Sequence, residues 1–184
     1  AAYAARAGIE AVILFPEGAV TASKLAQAAV VGARLQPVSG GYAAAFAEAP
    51  RLAAERGYVV VQSTNPHRLQ GQKTAAFELV EQLGDPPDVL ALPYGGGGNT
   101  AAYALGFAEL DKGWPRFHPT QAAQRADTVA SAIRINEPYH VEEVEEALAR
   151  SGGSIVTVGE REIVDAWRAL ALEEGVFCEP ASAA

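Results

Sequence analysis

The sequence predicts an α/β protein built on parallel sheet, and three observations lead there. Short apolar runs rich in Val, Leu and Ile recur along the chain, as at residues 10–15, 33–38, 88–92 and 154–158. Stretches with helical spacing of apolar residues separate them, and Gly or Pro stands at most of the junctions. Strands that alternate with helices in this way pair in parallel, joined by right-handed crossovers.

The elements follow in order. Residues 1–8 read as a helix interior stopped by Gly8, and residues 10–15 as a strand turning at Pro16-Glu17-Gly18. A helix is expected over residues 21–31, closed by Gly32, then a strand over 33–38. The next helix spans residues 42–56, and Pro50 should kink or divide it. The Val-rich residues 58–62 read as a strand, residues 63–70 as a polar loop, and residues 71–83 as a helix stopped at Gly84-Asp85-Pro86-Pro87. A strand at 116–122, interrupted by Pro119, and a short helix at 127–135 come next. Val141, Val144 and Leu148 mark one face of a helix that ends at Gly152-Gly153. Residues 154–158 form a strand, and Ile163, Val164, Trp167, Leu170 and Ala171 make the apolar face of a helix closed by Gly175. Residues 176–179 read as a last strand.

The most informative junction is Pro93-Tyr94-Gly95-Gly96-Gly97-Gly98-Asn99-Thr100, between a buried strand and a helix over residues 101–110. Four glycines let main chain approach a ligand closely, and the new helix adds the positive end of its dipole. The run lacks the Gly-x-Gly-x-x-Gly spacing, because Thr100 or Ala101 stands where the third glycine would be. It lacks the Lys-Ser or Lys-Thr of a P-loop as well. What is left is a cup, Gly95 to Asn99, suited to one phosphate monoester. Asn99 either caps the helix or donates its amide to an oxygen; both readings stand.

A second constellation, Gln62-Ser63-Thr64-Asn65-Pro66-His67-Arg68, follows an expected strand end, the edge where open α/β sheets place ligands. Ser63 and Arg68 together can clamp a second oxyanion. Asn-Pro is equally a plain turn signal, and a loop Arg can be merely solvated. Lys24 and Lys73 read as solvent-facing helix residues rather than catalytic amines. His67, His118 and His140 have no metal-binding spacing, no Gly-x-Ser-x-Gly occurs, and Glu142, Glu143, Glu145 and Glu146 read as the wet side of a helix.

Composition narrows the class. With 49% hydrophobic and 20% charged residues over 184 positions, the chain is globular rather than disordered. A net charge of -8 argues against a broad nucleic-acid surface, so any anion site is local. One cysteine, Cys178, excludes an internal disulfide and a Cys-based zinc site; it reads as a buried small residue and fits a reducing cytoplasm. No apolar run approaches the roughly 18 residues of a membrane span. The absence of methionine and the interrupted elements at both ends lead to the expectation of an internal piece of a longer protein.

In order, these segments resemble threonine synthase, among the pyridoxal-phosphate enzymes related to tryptophan synthase β. The resemblance covers nearly the whole chain. It is most specific in Asn65-Pro66-His67-Arg68-Leu69-Gln70-Gly71-Gln72-Lys73-Thr74 and in Glu174-Gly175-Val176-Phe177-Cys178-Glu179-Pro180-Ala181-Ser182-Ala183-Ala184. It implies the two-lobe parallel-sheet fold of those enzymes, incomplete at both ends, with residues 1–64 in the smaller lobe and 65–184 in the larger. It implies pyridoxal 5'-phosphate as cofactor and conversion of O-phospho-L-homoserine and water to L-threonine and phosphate by a cytoplasmic homodimer. Gly95, Gly96, Gly97, Gly98 and Asn99 would hold the cofactor phosphate, and Ser63 and Arg68 the substrate phosphate. The family's Schiff-base lysine would lie upstream of Ala1, so no catalytic residue is expected in this chain and none of its lysines takes that role. The piece alone should therefore be inactive.

The chain departs from the family's pattern at Gly96 and Gln62, where Asn is usual, and in a shortened segment after Gln121-Ala122-Ala123. Two other readings stand beside this one: a sister lyase such as threonine dehydratase or cysteine synthase, and a non-enzymatic binder of a phosphate ligand.

Overall fold

The computed structural model describes every residue except Ala19 and Thr21, and Ser23 by its backbone alone. The chain divides into two compact units, Ala1–Val60 and Val61–Ala184. All strand pairs in both are parallel.

In the first unit, helix α1 (Ala2–Ala7) ends on Gly8, whose φ of 69° is left-handed. Strand β1 (Val12–Pro16), helix α2 (Ala22–Ala29), strand β2 (Arg34–Val38) and helix α3 (Gly41–Arg56) follow. Thr21, where the sequence places the start of the second helix, lies outside the described residues. Strands β1 and β2 pair from Val12 opposite Arg34 to Pro16 opposite Val38. Helix α3 packs on β1 and buries Ala45 and Leu52. It continues through Pro50, so the expected division does not occur. Arg51, one residue later, bonds Glu48 and Glu55 a turn to either side, which supports the helix where proline removes a donor.

The second unit contains α4 (Pro66–Gln72), α5 (Thr74–Leu83), β3 (Val89–Pro93), α6 (Gly98–Leu110), β4 (Arg116–Ala122), α7 (Val141–Ser151), β5 (Val156–Val158) and α8 (Glu160–Glu173), with 3-10 turns at Ser131–Ile133 and Pro180–Ala183. The sheet order is β3-β4-β5. Pro119 does not interrupt β4; it sits opposite Leu92 of β3, and the ladder to β5 begins one residue later at Thr120.

Small residues make α6 apolar nearly all round, and it buries Ala101, Ala102, Ala104 and Phe107. Phe107 meets Phe117 of β4 edge-on at 6.1 Å, and Trp114 meets the same ring at 6.0 Å. Gly106 is required there. A Cβ at that position would stand 2.5 Å from the Lys73 carbonyl oxygen and 2.7 Å from Ala76 Cβ, so α6 can touch α5 only without a side chain.

Further expectations from the sequence are corrected. Residues 58–62 form no strand, since no described strand lies alongside to complete a ladder, and Val59 and Val61 are exposed. Most of the expected loop at 63–70 is helix: Asn65 caps α4 by accepting from the His67 N–H at 2.9 Å, and Pro66 fills the first helical position. Residues 127–135 hold only a 3-10 turn, because side chains take over their backbone. The Val129 N–H goes to Glu160 Oε2 at 2.8 Å, the Ala130 N–H to Thr128 Oγ1 at 3.1 Å, and the Thr128 carbonyl accepts from Arg134. Residues 176–179 form no strand either; they fold back on α8, where the Trp167 indole N–H donates to the Cys178 carbonyl at 2.7 Å. Cys178 is accordingly half-buried rather than buried.

Candidate functional site

The carboxyl end of β3 opens into a cavity of about 550 Å³ within the second unit. Gly95, Gly96, Gly97, Gly98 and Asn99 form one wall, and Ser63 and Arg68 lie on the same cavity. Ala132, Ile133 and Ile135 add an apolar side. The two constellations separated in the sequence thus share one space.

The glycine run works through its main chain. Helix α6 begins at Gly98, three residues earlier than its sequence pattern indicates, with Gly97 as N-cap at φ 85°. The backbone N–H groups from Gly95 to Asn99 have no acceptor among the described residues. Five successive donors at a helix N-terminus, on a partly buried wall, suit an anion. The glycines are set by what lies behind them. A Cβ at Gly95 would stand 3.1 Å from the Ala132 carbonyl oxygen, one at Gly96 2.9 Å from the Tyr139 ring, and one at Gly97 3.0 Å from Val144. Main chain therefore packs directly on the 132–144 segment, leaving N–H groups rather than side chains for the cavity. The residues present fit a phosphate ester.

Asn99 is not the N-cap, a place Gly97 takes, and the oxygen to which its amide donates is one of the protein's own. Its Nδ2 donates to the Pro93 carbonyl at 2.9 Å, and its Oδ1 accepts from the Thr100 N–H at 2.8 Å. The side chain is spent on closing the loop across the strand end, so only its backbone N–H is available to a ligand.

Ser63 and Arg68 are brought together: an Arg68 Nη1–H donates to Ser63 Oγ at 3.4 Å. Arg68 is half-buried and, among the described residues, has no carboxylate within ion-pair distance, so its charge is available to a second anion. Lys73 is not solvent-facing. Its Nζ bonds Gln70 and Glu109, each at 2.6 Å, fastening the α4–α5 junction to α6. Lys24 is exposed.

Two residues with no motif around them hold this site together. His140 is buried, its Nε2 donating to the Ser63 carbonyl at 2.9 Å and its Nδ1 standing 3.1 Å from Glu143 Oε1. Burial raises the Glu143 carboxyl, but the hydrogen bond from His140 and one from its own backbone N–H, with the His140 charge, together outweigh it and hold the group below the ordinary carboxylate value. Arg125 reaches Gly95 and Ile135 by their carbonyls and lies over the Tyr94 ring. Burial raises the Tyr94 phenol, with the Arg125 charge acting against it. No group of His, Cys, Asp and Glu among the described residues could hold a metal ion, and no described helix is long and apolar enough to cross a membrane.

Comparison with known proteins agrees with this geometry. The family described as "Pyridoxal-phosphate dependent enzyme" matches residues 1–184. A threonine synthase of Bacillus sp. (strain ULM1) is 43% identical over 197 residues, covering 99% of this chain and 56% of its own length. A threonine synthase of Synechocystis sp. is 44% identical over 200 residues, covering 100% of this chain and 52% of its own. The chain thus spans about half the length of the curated relatives it matches. Among solved structures, maize serine racemase superposes with a TM-score of 0.82 at 22% identity, over 98% of this chain and 58% of that one. At that identity the likeness speaks for the fold, which is that of the tryptophan synthase β-like enzymes.

Proposed function

Because the chain belongs to the pyridoxal-phosphate dependent enzyme family, we propose that the protein it comes from is a threonine synthase, converting O-phospho-L-homoserine and water to L-threonine and phosphate. The observation that carries this reading is the meeting of two anion-binding groups on one cavity: the N–H cup of Gly95 to Asn99, and Arg68 with Ser63. One phosphate belongs to the cofactor and the other to the substrate. The curated relatives named above, both called threonine synthase, support it.

Each residue then has a physical task. The cup and the α6 N-terminus hold the cofactor phosphate by main-chain donors and the helix dipole. Bound there, the cofactor ring supplies an electron sink for carbanions on the substrate. Arg68 and Ser63 hold the substrate phosphate, and fixing that remote group orients the reacting carbons before they react. Ala132, Ile133 and Ile135 keep water from that side of the cavity. We take the unit Ala1–Val60 as part of the smaller lobe of the enzyme and Val61–Ala184 as part of the larger, a division four residues earlier than the sequence reading, and the reading carries with it a cytoplasmic homodimer.

The test supplies the full-length protein with O-phospho-L-homoserine and follows phosphate and L-threonine together. Equal amounts of both, with no ammonia from L-threonine or L-serine, are expected. Ammonia release without phosphate release would replace this reading with a sister lyase. No turnover of either kind, despite tight phosphate binding, would leave a phosphate-ligand binder.

A further inference from the structure

We infer that Arg125 is a positioning residue for the glycine cup, aiming the Gly96 N–H into the cavity from behind. The inference rests on the reading of the cup as the cofactor-phosphate site and deepens it.

Arg125 lies in the irregular segment after β4, and nothing in the sequence around it marks a site. Its guanidinium makes a fork that only arginine can make. Nη1 donates to the Ile135 carbonyl at 2.9 Å and to the Gly95 carbonyl at 3.3 Å. Nε and Nη2 both donate to Gln121 Oε1, at 3.1 Å and 2.5 Å. Gln121 is itself anchored, since its Nε2 donates to Thr157 Oγ1 of β5 at 3.0 Å. The guanidinium carbon stands 4.7 Å from the centre of the Tyr94 ring. Two sheet strands, the start of the loop and the apolar cavity wall at Ile135 are tied through one side chain.

The consequence for the cup comes from the planarity of the peptide. In a trans peptide the C=O and the next N–H point in opposite directions. Holding the Gly95 carbonyl on Arg125 therefore turns the Gly96 N–H the other way, toward the cavity that Gly96 lines. The next peptide is fixed by the same logic without a side chain: the Gly96 carbonyl accepts the N–H groups of Tyr139 and His140, both at 3.1 Å, which sets the Gly97 N–H. Glycine has no rotameric or steric preference to maintain such an orientation, so an outside clamp must supply it. Arg125 adds charge as well as geometry. Its polar partners are neutral, and among the described residues no carboxylate lies within ion-pair distance of it.

The experiment uses the full-length protein stripped of cofactor, with Arg125→Lys and Arg125→Gln variants. Dissociation constants are measured for pyridoxal 5'-phosphate, for pyridoxal without the phosphate, and for inorganic phosphate. Both variants are expected to bind pyridoxal 5'-phosphate and phosphate about tenfold more weakly, as for a lost charge-assisted hydrogen bond, with pyridoxal binding unchanged. A general loosening of the fold would weaken pyridoxal equally, and that result overturns the inference. So does full phosphate affinity in Arg125→Lys, because lysine keeps the charge and loses the fork. Should Arg125→Gln fail to fold, Arg125→Lys decides alone. If the unsubstituted protein itself binds pyridoxal as tightly as its phosphate ester, the reading of the cup fails, and not merely the role of Arg125.

Discussion

The His140 ring holds the Ser63 carbonyl at 2.9 Å across a sequence separation of 77 residues. A carbonyl only accepts, so Nε2 donates to it, and Nδ1 faces the Glu143 carboxylate, which accepts a hydrogen bond from the ring when that nitrogen carries a proton too. His140 thereby joins the arm that bears Ser63 and Arg68 to the start of α7, immediately behind the glycine cup. His140→Ala should lower stability by about 1–3 kcal/mol, since it leaves a partly buried carbonyl without its donor. In the full-length enzyme it should raise KM for a phosphorylated substrate more than it lowers kcat. Urea unfolding with steady-state kinetics measures both, and an unchanged KM would separate this tether from the anion site.

Arg68 distinguishes a phosphorylated substrate from an unphosphorylated one. Its charge has no carboxylate partner among the described residues and is steadied by the Ser63 hydroxyl alone. Arg68→Ala in the full-length protein is expected to raise KM for O-phospho-L-homoserine at least about tenfold, the effect of removing one charged phosphate contact. Progress curves over a range of substrate concentrations give the answer. A KM that does not move would favour a lyase acting on an unphosphorylated amino acid.

The alternation of strands and helices was legible because apolar periodicity is a local signal, and so was the glycine run, whose chemistry resides in the main chain. The helix at Pro66–Gln72 was legible too but obscured: Asn followed by Pro signals a turn and a helix start alike, and here Asn65 accepts from His67 as a cap. The runs at 58–62 and 176–179 have strand composition, yet a strand exists only where a neighbour pairs with it, and composition does not carry that information. Arg125 and His140 were invisible for a related reason. Each acts on residues far away in sequence, Gly95 and Ser63, through contacts that only the fold creates.

Acid should weaken the His140–Glu143 contact. Because the folded-state carboxyl of Glu143 is held below its ordinary value, the unfolded chain takes up the proton first as pH falls. The stabilisation is fully present above the unfolded carboxylate pKa of about 4.3 and disappears as pH drops through the lower folded value. The stability difference between the unsubstituted protein and Glu143→Gln should therefore shrink between about pH 6 and pH 3. It will be small throughout, since the Glu143 side chain is 48% exposed. Denaturant titrations at several pH values test it; a gap that widens in acid would mean the sign is wrong.

Thr100 has a fully buried hydroxyl with no hydrogen-bond partner among the described residues. Thr100→Val keeps the branched shape and removes the orphaned oxygen. Stability should hold or rise by up to about 1 kcal/mol, the opposite of the usual cost of a core substitution. A thermal melt suffices. A clear loss of stability would show that the hydroxyl has a partner beyond the protein atoms.

The glycines of the cup are not equivalent, and two alanine substitutions should separate fold from binding. Gly97 has φ 85°, and a Cβ there would meet Val144 at 3.0 Å and the His140 carbonyl oxygen at 3.1 Å. Gly97→Ala adds left-handed backbone strain of about 1–2 kcal/mol to that crowding, so a loss of 2 kcal/mol or more is expected. Gly98 sits in helical backbone, and its Cβ would meet His140 only at ordinary distances of 3.5 and 3.7 Å. Gly98→Ala should leave stability equal or slightly higher, because alanine suits a helix better than glycine. It should also leave phosphate affinity within about twofold, since the donor is the backbone N–H and the added methyl points at protein. Equal damage from both substitutions would mean that the Gly98 position faces the ligand rather than His140.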